Sequence, residues 1–161
     1  MARKQFIEEG RLDYVPTLTN PAAPTVAALT AGVPLTAHLG RSGLTTPRSA
    51  NTMDISDAFS KQNKSGRGTK GGEQLSLTFF RDSVTGSDTA WSTLTENTDG
   101  YLVVRRFGGP AAVWAAGQKV EVYPIEVISR EMQPIAENTP QQFVATCAVP
   151  AETQQDAAVA A

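Results

Sequence analysis

The sequence has very few of the residues from which disulfide frameworks and metal centres are built. Cys147 is the only cysteine and His38 the only histidine. One cysteine excludes a disulfide within the chain, and one histidine with one cysteine cannot complete a tetrahedral zinc site. Cys147 lies in a strand-like run, where we expect it to act as a small buried apolar residue.

Strong positive charge and long apolar runs are also lacking. The formal net charge is −2 at pH 7, so the chain has no overall basic field of the kind that binds duplex DNA. No apolar run is long enough to cross a bilayer, and residues 1–5 do not open an apolar secretory signal. We therefore expect no membrane partner, and a protein that stays in the cytoplasm unless a larger assembly carries it out.

Sequence motifs of enzymes are absent or lack their structural context. Gly66, Gly68 and Gly71 have the spacing of a dinucleotide fingerprint, but that motif needs a strand before it and a helix after it. Here a strand-like run follows the glycines. No serine lies in a nucleophile-elbow sequence that could work with His38. The sequence thus predicts no catalytic residues, no cofactor and no metal, and a protein that is not an enzyme.

Short runs of alternating polarity indicate a mainly β protein. We predict strands over residues 35–39, 51–59, 75–79, 101–107, 119–130 and 143–149. Within residues 119–130 the apolar phase changes across Tyr123 and Pro124, which predicts a β-bulge or a sheet edge there.

Two segments have the periodicity and end residues of helices. Residues 24–32 end with Gly32, for which we expect a left-handed stop, and residues 88–97 form the longer helix, capped by Ser87 or Asp88. The predicted fold is a β-sandwich or small barrel with one flanking α-helix, in a domain over residues 1–150. Residues 151–161 have little to bury, so we expect a flexible C-terminal arm.

Charge is separated along the chain. Residues 40–72 contain six basic and two acidic residues, whereas residues 121–161 contain six acidic residues and one arginine. Residues 61–72 have no apolar side chain, which predicts an exposed, mobile loop. Because complementary charges steer association between copies, we predict an interface at the basic residues of this loop: Lys61, Lys64, Arg67 and Lys70.

The order of these elements and two short segments resemble a known family. Residues 100–106 read Gly-Tyr-Leu-Val-Val-Arg-Arg, and residues 120–125 read Val-Glu-Val-Tyr-Pro-Ile. Together with the element order over residues 5–150, they resemble the major tail proteins, or tail tube proteins, of siphoviruses that infect actinobacteria and related hosts.

The resemblance implies a structural role in the virion tail after assembly in the host bacterial cytoplasm. Members of the family form a helix-flanked β-sandwich, join as hexameric rings and stack into a tube that conducts viral DNA, often past an acidic inner wall. The implied partners are other copies, the tape measure, tail terminator and distal tail proteins, and DNA that passes without specific binding. By position, residues 60–72 would bridge successive rings, and the segment after Val149 would be a terminal arm.

Other interpretations remain open at this point. A capsid-decoration or tail-completion protein could use the same sandwich without forming long polymers. A carbohydrate-binding β-sandwich would need an exposed aromatic platform, whereas periodicity assigns most of the aromatic residues to the core (Trp91, Trp114, Tyr101 and Phe107). The basic loop could bind phosphates, but it contains no interleaved aromatic residue. An enzyme built on the scattered carboxylates has the least support.

Overall fold

A computed structural model describes residues 10–45, 50–54, 65–70, 74–82, 84, 87–107, 113–135 and 137–161. The strands in these ranges are β1 (Arg11–Val15), β2 (Val33–Pro34), β3 (Leu39–Thr45), β4 (Ala50–Asp54), β5 (Ser65–Lys70), β6 (Gln74–Phe80), β7 (Asp99–Arg105), β8 (Lys119–Met132), β9 (Gln142–Ala148) and β10 (Gln154–Ala158). The helices are α1 (Val26–Thr30), α2 (Thr89–Thr93) and a 3₁₀ turn at Thr36–His38.

One large antiparallel sheet runs in the order β2-β1-β7-β8-β9-β6-β3. β8 is fourteen residues long and joins two layers. Its first half pairs with β7 and β10, and its second half pairs with β9. We call β2, β1, β7, β10 and the first half of β8 the first layer, and residues 126–132 of β8 with β9, β6 and β3 the second layer.

The sheet curls so that the two layers face each other across a shared core. Leu12 of β1 and Phe79 of β6 belong to the same buried cluster. These strands are four positions apart in the sheet order, which would separate them by about 19 Å if the sheet were flat. The mainly β architecture predicted from the sequence is confirmed, and its form is a curled sheet with few helices.

The phase change in β8 arises from burial on both faces of the sheet. Tyr123, Ile125 and Val127 belong to the core between the layers, whereas Val120 and Val122 belong to a second cluster on the reverse face. The register with β7 is continuous from residue 121 to residue 126. The predicted bulge at Tyr123 and Pro124 is therefore wrong, but the alternative of an edge is confirmed. On the side away from β7, the described strands leave residues 123–125 unpaired, because β10 ends opposite Val122 and β9 begins opposite Glu126. The register shift in β8 lies later, between Val127 and Ser129 in the pairing with β9.

Helix α1 lies inside the segment predicted for it but does not end in a left-handed glycine. The side chain of Thr25 accepts a hydrogen bond from Ala28 N at 3.3 Å, and Ala31 closes the helix in a right-handed conformation. Gly32 is needed for space instead, because a Cβ there would lie 2.9 Å from Val15 Cγ2.

Residues 35–39 were predicted as a strand, but they form the 3₁₀ turn and the start of β3. The hydroxyl of Thr36 accepts a hydrogen bond from Leu12 N at 2.8 Å and donates one to Leu12 O at 3.2 Å. Leu35 is fully buried beside it. The turn therefore binds β1 through a side chain, which alternation of polarity does not predict.

Helix α2 is shorter than the predicted helix over residues 88–97. Asp88 occupies the N-cap position, but its side chain makes no capping hydrogen bond and pairs with Arg81 instead. Asn97, at φ 62°, turns the chain into β7. Ala90 and Leu94 are fully buried in the core between the layers, so α2 covers one opening of the curled sheet.

The C-terminal residues belong to the sheet, so the expected flexible arm is wrong for this segment. β10 pairs with the first half of β8, and Ala157 and Val159 are buried on the reverse face. Ala160 N donates to Pro24 O at 2.9 Å, and Val26 N donates to Ala160 O at 3.0 Å. Alternate small apolar side chains and backbone hydrogen bonds are sufficient to hold this segment.

Candidate assembly surfaces

The second layer has two open strand edges within the part of the chain that the structure describes. β3 is the last strand of the sheet order and pairs only with β6. At the other side of the layer, β7 pairs with β8 only as far as Glu126, so residues 128–132 of β8 have β9 on one side and no strand on the other. Unpaired edges are templates for pairing with another chain.

The irregularity in β8 decides which side chains face the core at the open edge. Val127 pairs with Cys147, but Arg130 pairs with Ala145, so one extra residue lies between them on β8. Arg130 therefore lies on the core face of the layer, where its guanidinium carbon is 3.7 Å from the Trp91 ring centroid. Without the extra residue, alternation would place Arg130 on the reverse face.

The reverse face of the second layer is not covered by other described elements. In β6 and β9 every second residue is buried in the core, and the residues between them are half-buried or exposed: Gln74, Ser76, Thr78, Phe80, Gln142, Val144, Thr146 and Ala148. Glu126 and Glu131 pair with Ala148 and Val144, so they share this face, and both are exposed. The described side chains that β6, β8 and β9 place on this face include two carboxylates and no basic group.

The same face of the first layer is covered. Leu29 of α1 packs there with Val103, Val122 and Val159. Trp114 is also buried on this side, and its indole N–H donates to Asp13 Oδ2 at 2.8 Å. One face of a continuous sheet is therefore apolar and covered in the first layer, and polar and uncovered in the second.

The hairpin β4–β5 stands apart from the large sheet. The two strands pair with each other and, among the described residues, with no other strand. The predicted exposed loop is wrong for residues 65–70, which form β5. Arg67 and Lys70 lie in β5, opposite Thr52 and Ala50, whereas Lys61 and Lys64 lie outside the described residues. The interface at these four residues remains a prediction.

Most acidic residues of the C-terminal part are on the surface. Glu126, Glu131, Glu137, Glu152 and Asp156 are exposed.

Glu121 differs, because its carboxylate accepts hydrogen bonds from Arg106 Nε at 2.7 Å and Tyr123 Oη at 2.7 Å. Burial, and then the hydrogen bond to Glu121, raise the pKa of Tyr123 to about 12.

The described residues contain no group of side chains arranged as a metal site and no activated cysteine. No group of three or more His, Cys, Asp or Glu side chains is close enough to hold a metal ion in that part of the chain. Cys147 is fully buried, and burial raises the pKa of its thiol to about 12, so it is not an activated nucleophile. Among the described helices none is long and apolar enough to span a membrane.

The surfaces are thus strand edges, a polar sheet face and a separate hairpin, which suit assembly better than catalysis. The family model described as phage tail tube protein matches residues 1–161. The chain belongs to this family. It is accordingly a structural tail tube subunit, and the family comprises structural proteins rather than enzymes.

Solved structures with the same fold agree with the family. A chain from the tail of an empty gene transfer agent particle, computed with helical refinement in C6 symmetry, has a TM-score of 0.57 at 11% identity and covers 96% of this chain and 98% of its own. A chain from the native gene transfer agent virion has a TM-score of 0.56 at 10% identity, with the same coverages.

A chain from the six-fold symmetrised baseplate of the anti-feeding prophage has a TM-score of 0.54 at 9% identity and covers 96% of this chain and 95% of its own. No curated protein sequence shows significant similarity to the tail tube chain.

Sequence reasoning identified the family but not the assembly surfaces. Open edges depend on which strands pair, and the uncovered face depends on where α1 and β10 pack. One signal was present: the alternation of Gln142–Ala148 shows which residues lie opposite the core. The position of Arg130 was not readable, because it depends on the register shift.

Proposed function

We propose that copies of this tail tube protein pair edge to edge into closed rings, and that the rings stack into a conduit for viral DNA. The observation that carries the proposal is the pair of open edges, β3 and residues 128–132 of β8, on opposite sides of one layer. Two different edges of the same subunit make a head-to-tail contact, which gives a ring when the rotation closes.

The symmetry of the similar structures supports six subunits in each ring. The gene transfer agent tail has C6 symmetry and the anti-feeding prophage baseplate is six-fold symmetrised. If β3 of each copy pairs with β8 of the next, the four strands of each second layer join a continuous barrel. Closure satisfies the backbone groups that the free subunit leaves open.

The uncovered face of the second layer is the proposed wall of the lumen. It carries Glu126 and Glu131, and the register shift keeps Arg130 on the other face. DNA phosphates passing such a wall meet polar and negative groups, with no cation among the described side chains that β6, β8 and β9 place there, so these strands offer them no strong binding site. The covered face of the first layer, with α1, would then point outward.

Labelling of introduced cysteines tests this orientation. Thr146→Cys on the uncovered face should react with a polymer-linked maleimide in free subunits and at least tenfold more slowly in tubes. Ala27→Cys on exposed α1 should react equally in both states. Protection of residue 27 with free reaction at residue 146 would reverse the assignment.

Successive rings are proposed to be held in part by the β4–β5 hairpin. A two-stranded hairpin without a third strand is marginally stable in water, so an ordered hairpin gains from contact with another subunit. We propose that its basic residues meet the exposed acidic residues of the next ring.

Reversal of Lys64, Arg67 and Lys70 to Glu tests this charge contact. It should stop tube growth while far-UV circular dichroism stays unchanged. Normal growth would refute the charge contact.

A proline in β8 tests ring closure itself. Gln133 N donates to Gln142 O at 2.9 Å, and these residues are opposite each other in the pairing of β8 with β9. The alternation of antiparallel hydrogen bonds therefore directs the N–H of Met132 away from β9, to the open edge. Met132→Pro should remove one bond donor of the interface and leave the subunit folded.

The expected result is monomers for Met132→Pro and rings or tubes for the wild type, seen by negative-stain microscopy and analytical ultracentrifugation. Met132→Ala is the matched control, because it removes the side chain and keeps the N–H, and it should assemble. Rings formed by Met132→Pro at the wild-type concentration would contradict pairing at this edge.

A further inference from the structure

Two groups of exposed apolar side chains lie at opposite ends of β8. Ile135 follows the end of the strand and is 91% exposed. Phe107 and Val113 lie before its start and are 54% and 56% exposed. Phe107 is thus the exception among the four aromatic residues, most of which the periodicity assigns to the core. Because burial in an interface would remove these large apolar side chains from water, both groups are candidates for contacts.

Both groups are fixed to the sheet by nearby hydrogen bonds. Val113 O accepts from Arg105 Nη1 at 2.6 Å, at the last residue of β7. Gln133 N donates to Gln142 O, which closes the base of the loop that carries Ile135. The positions of the two groups therefore follow from the sheet.

The length of β8 prevents the two groups from meeting within one chain. Fourteen residues of strand span about 45 Å. A contact between Ile135 and Val113 must therefore join two copies. Because it uses different surfaces on the two copies, it can repeat along an axis into an open filament when its rotation does not close a ring.

The charged residues around the two groups have opposite signs. Glu131 and Glu137 flank Ile135 in sequence, and both are exposed. Arg106 and Lys119 lie near Phe107 and Val113, and both are exposed. Arg106 keeps 44% of its side chain exposed while it pairs with Glu121. Glu131 and Glu137 are thus opposite in charge to Lys119 and to the exposed part of Arg106 at the other end of β8.

We propose that Ile135 of one copy docks against Phe107 and Val113 of the next copy along the tube axis. The proposal rests on the tube-forming function proposed above, and it names the apolar anchor between rings. The core of such an interface is apolar with a polar rim, which is the arrangement at both ends of β8.

Cysteine cross-linking tests the contact directly. In the double variant Ile135→Cys with Val113→Cys, each chain can bond to one copy at each end. Oxidised tubes should give a ladder of covalent multimers on a non-reducing gel. Either single variant lacks the partner thiol at this contact and should stay monomeric on the gel, and buried Cys147 stays out of the reaction. A double variant that forms tubes without a ladder would overturn the proposal.

Assembly of Ile135→Ser gives a second, independent readout. We expect rings at the wild-type concentration, and a concentration for tube growth that is at least about tenfold higher, because one large apolar side chain is lost from each contact. Ile135→Leu keeps the apolar group and should grow tubes as the wild type does. Tube growth by Ile135→Ser at the wild-type concentration refutes this anchor and leaves ring formation standing, whereas a wild type without rings or tubes refutes the proposed function.

Discussion

Two tryptophans in this protein each lie against two arginine guanidinium groups, in very different surroundings. Trp114 is 4% exposed, and the guanidinium carbons of Arg11 and Arg105 lie 4.9 and 5.2 Å from its ring centroid. Trp91 is only half-buried, and those of Arg81 and Arg130 lie 3.9 and 3.7 Å from its ring centroid. The first cluster is inside the first layer, and the second is at the open edge of the second layer.

The Trp114 cluster contains a fully buried carboxylate. Asp13 accepts hydrogen bonds from Arg11 Nε at 2.9 Å and from the indole of Trp114 at 2.8 Å. Arg105 is also fully buried, and its Nη1 donates to Val113 O and to Gln118 Oε1. The bonds of Asp13 with Trp114 and of Arg105 with Val113 and Gln118 fix residues 113–118 to β1 and β7. A buried charge needs this degree of pairing, since an unpaired one is costly.

The Trp91 cluster is held by packing more than by buried charge. Trp91 stands edge-on to Phe143, with ring centroids 5.0 Å apart, and Arg130 Nη1 donates to Trp91 O at 2.6 Å. Both arginines are half-buried, so water still reaches part of each side chain, and Arg81 pairs with Asp88. Tryptophan and arginine thus have two uses in this protein. In the Trp114 cluster they stabilise the fold, whereas in the Trp91 cluster they cover the end of the core beside an assembly edge.

The largest expected effect comes from removing the buried carboxylate. Asp13→Ala removes the carboxylate that accepts from Arg11 and from the indole N–H of Trp114, so the free energy of unfolding should fall by about 3–5 kcal/mol. Urea denaturation followed by tryptophan fluorescence measures the change. Glu137→Ala, at an exposed carboxylate, should change it by about 0.5 kcal/mol or less. A loss under about 1 kcal/mol for Asp13→Ala would show that the two clusters do not differ in this way.

A smaller loss of stability is expected at alkaline pH. It should come from the core and not from the arginine clusters. Arginines keep their charge in this range, whereas the thiol of Cys147 has a pKa raised by burial from 9.0 to about 12. A raised pKa in the folded state means that stability is complete below pH 9 and is lost as pH rises toward 12. Between pH 8 and pH 10 the thiol should therefore lower the free energy of unfolding of the wild type by about 1 kcal/mol.

Urea denaturation at the two pH values measures this loss, with Cys147→Ala as the control. That variant should be less stable at pH 8 because of the cavity, but it should lack this part of the pH dependence. An equal loss in both proteins would assign the alkaline sensitivity to another group. The range stops at pH 10 because Tyr123, whose pKa is raised from 10.0 to about 12 in the folded protein, lowers stability increasingly as pH rises through 10.

How much the sequence predicted depends on how local each feature is. The strand Gln74–Phe80 was predicted to within a residue at each end, because its alternation matches one buried and one open face. β10 was missed, because its burial depends on α1 and residues 116–118, which lie far away in the sequence. Likewise, Trp114 was assigned to the core, but its pairing with Asp13 joins residues 101 positions apart. Contacts between residues that lie far apart in the sequence cannot be predicted from a local pattern of residues.

The smallest expected effect is at the Trp91 cluster. An arginine-to-lysine substitution in each of the two clusters tests the comparison most directly. Arg130→Lys keeps the charge but loses the planar group that lies over Trp91, and should cost about 0.5–1 kcal/mol. Arg105→Lys should cost several times more, because Lys cannot keep the same fixed bonds to Val113 O and Gln118 Oε1 in a site without water. Urea midpoints of the two variants give the ratio. Equal costs would mean that burial does not distinguish the clusters, and that the bulge which brings Arg130 to Trp91 matters to the fold as much as the buried carboxylate does.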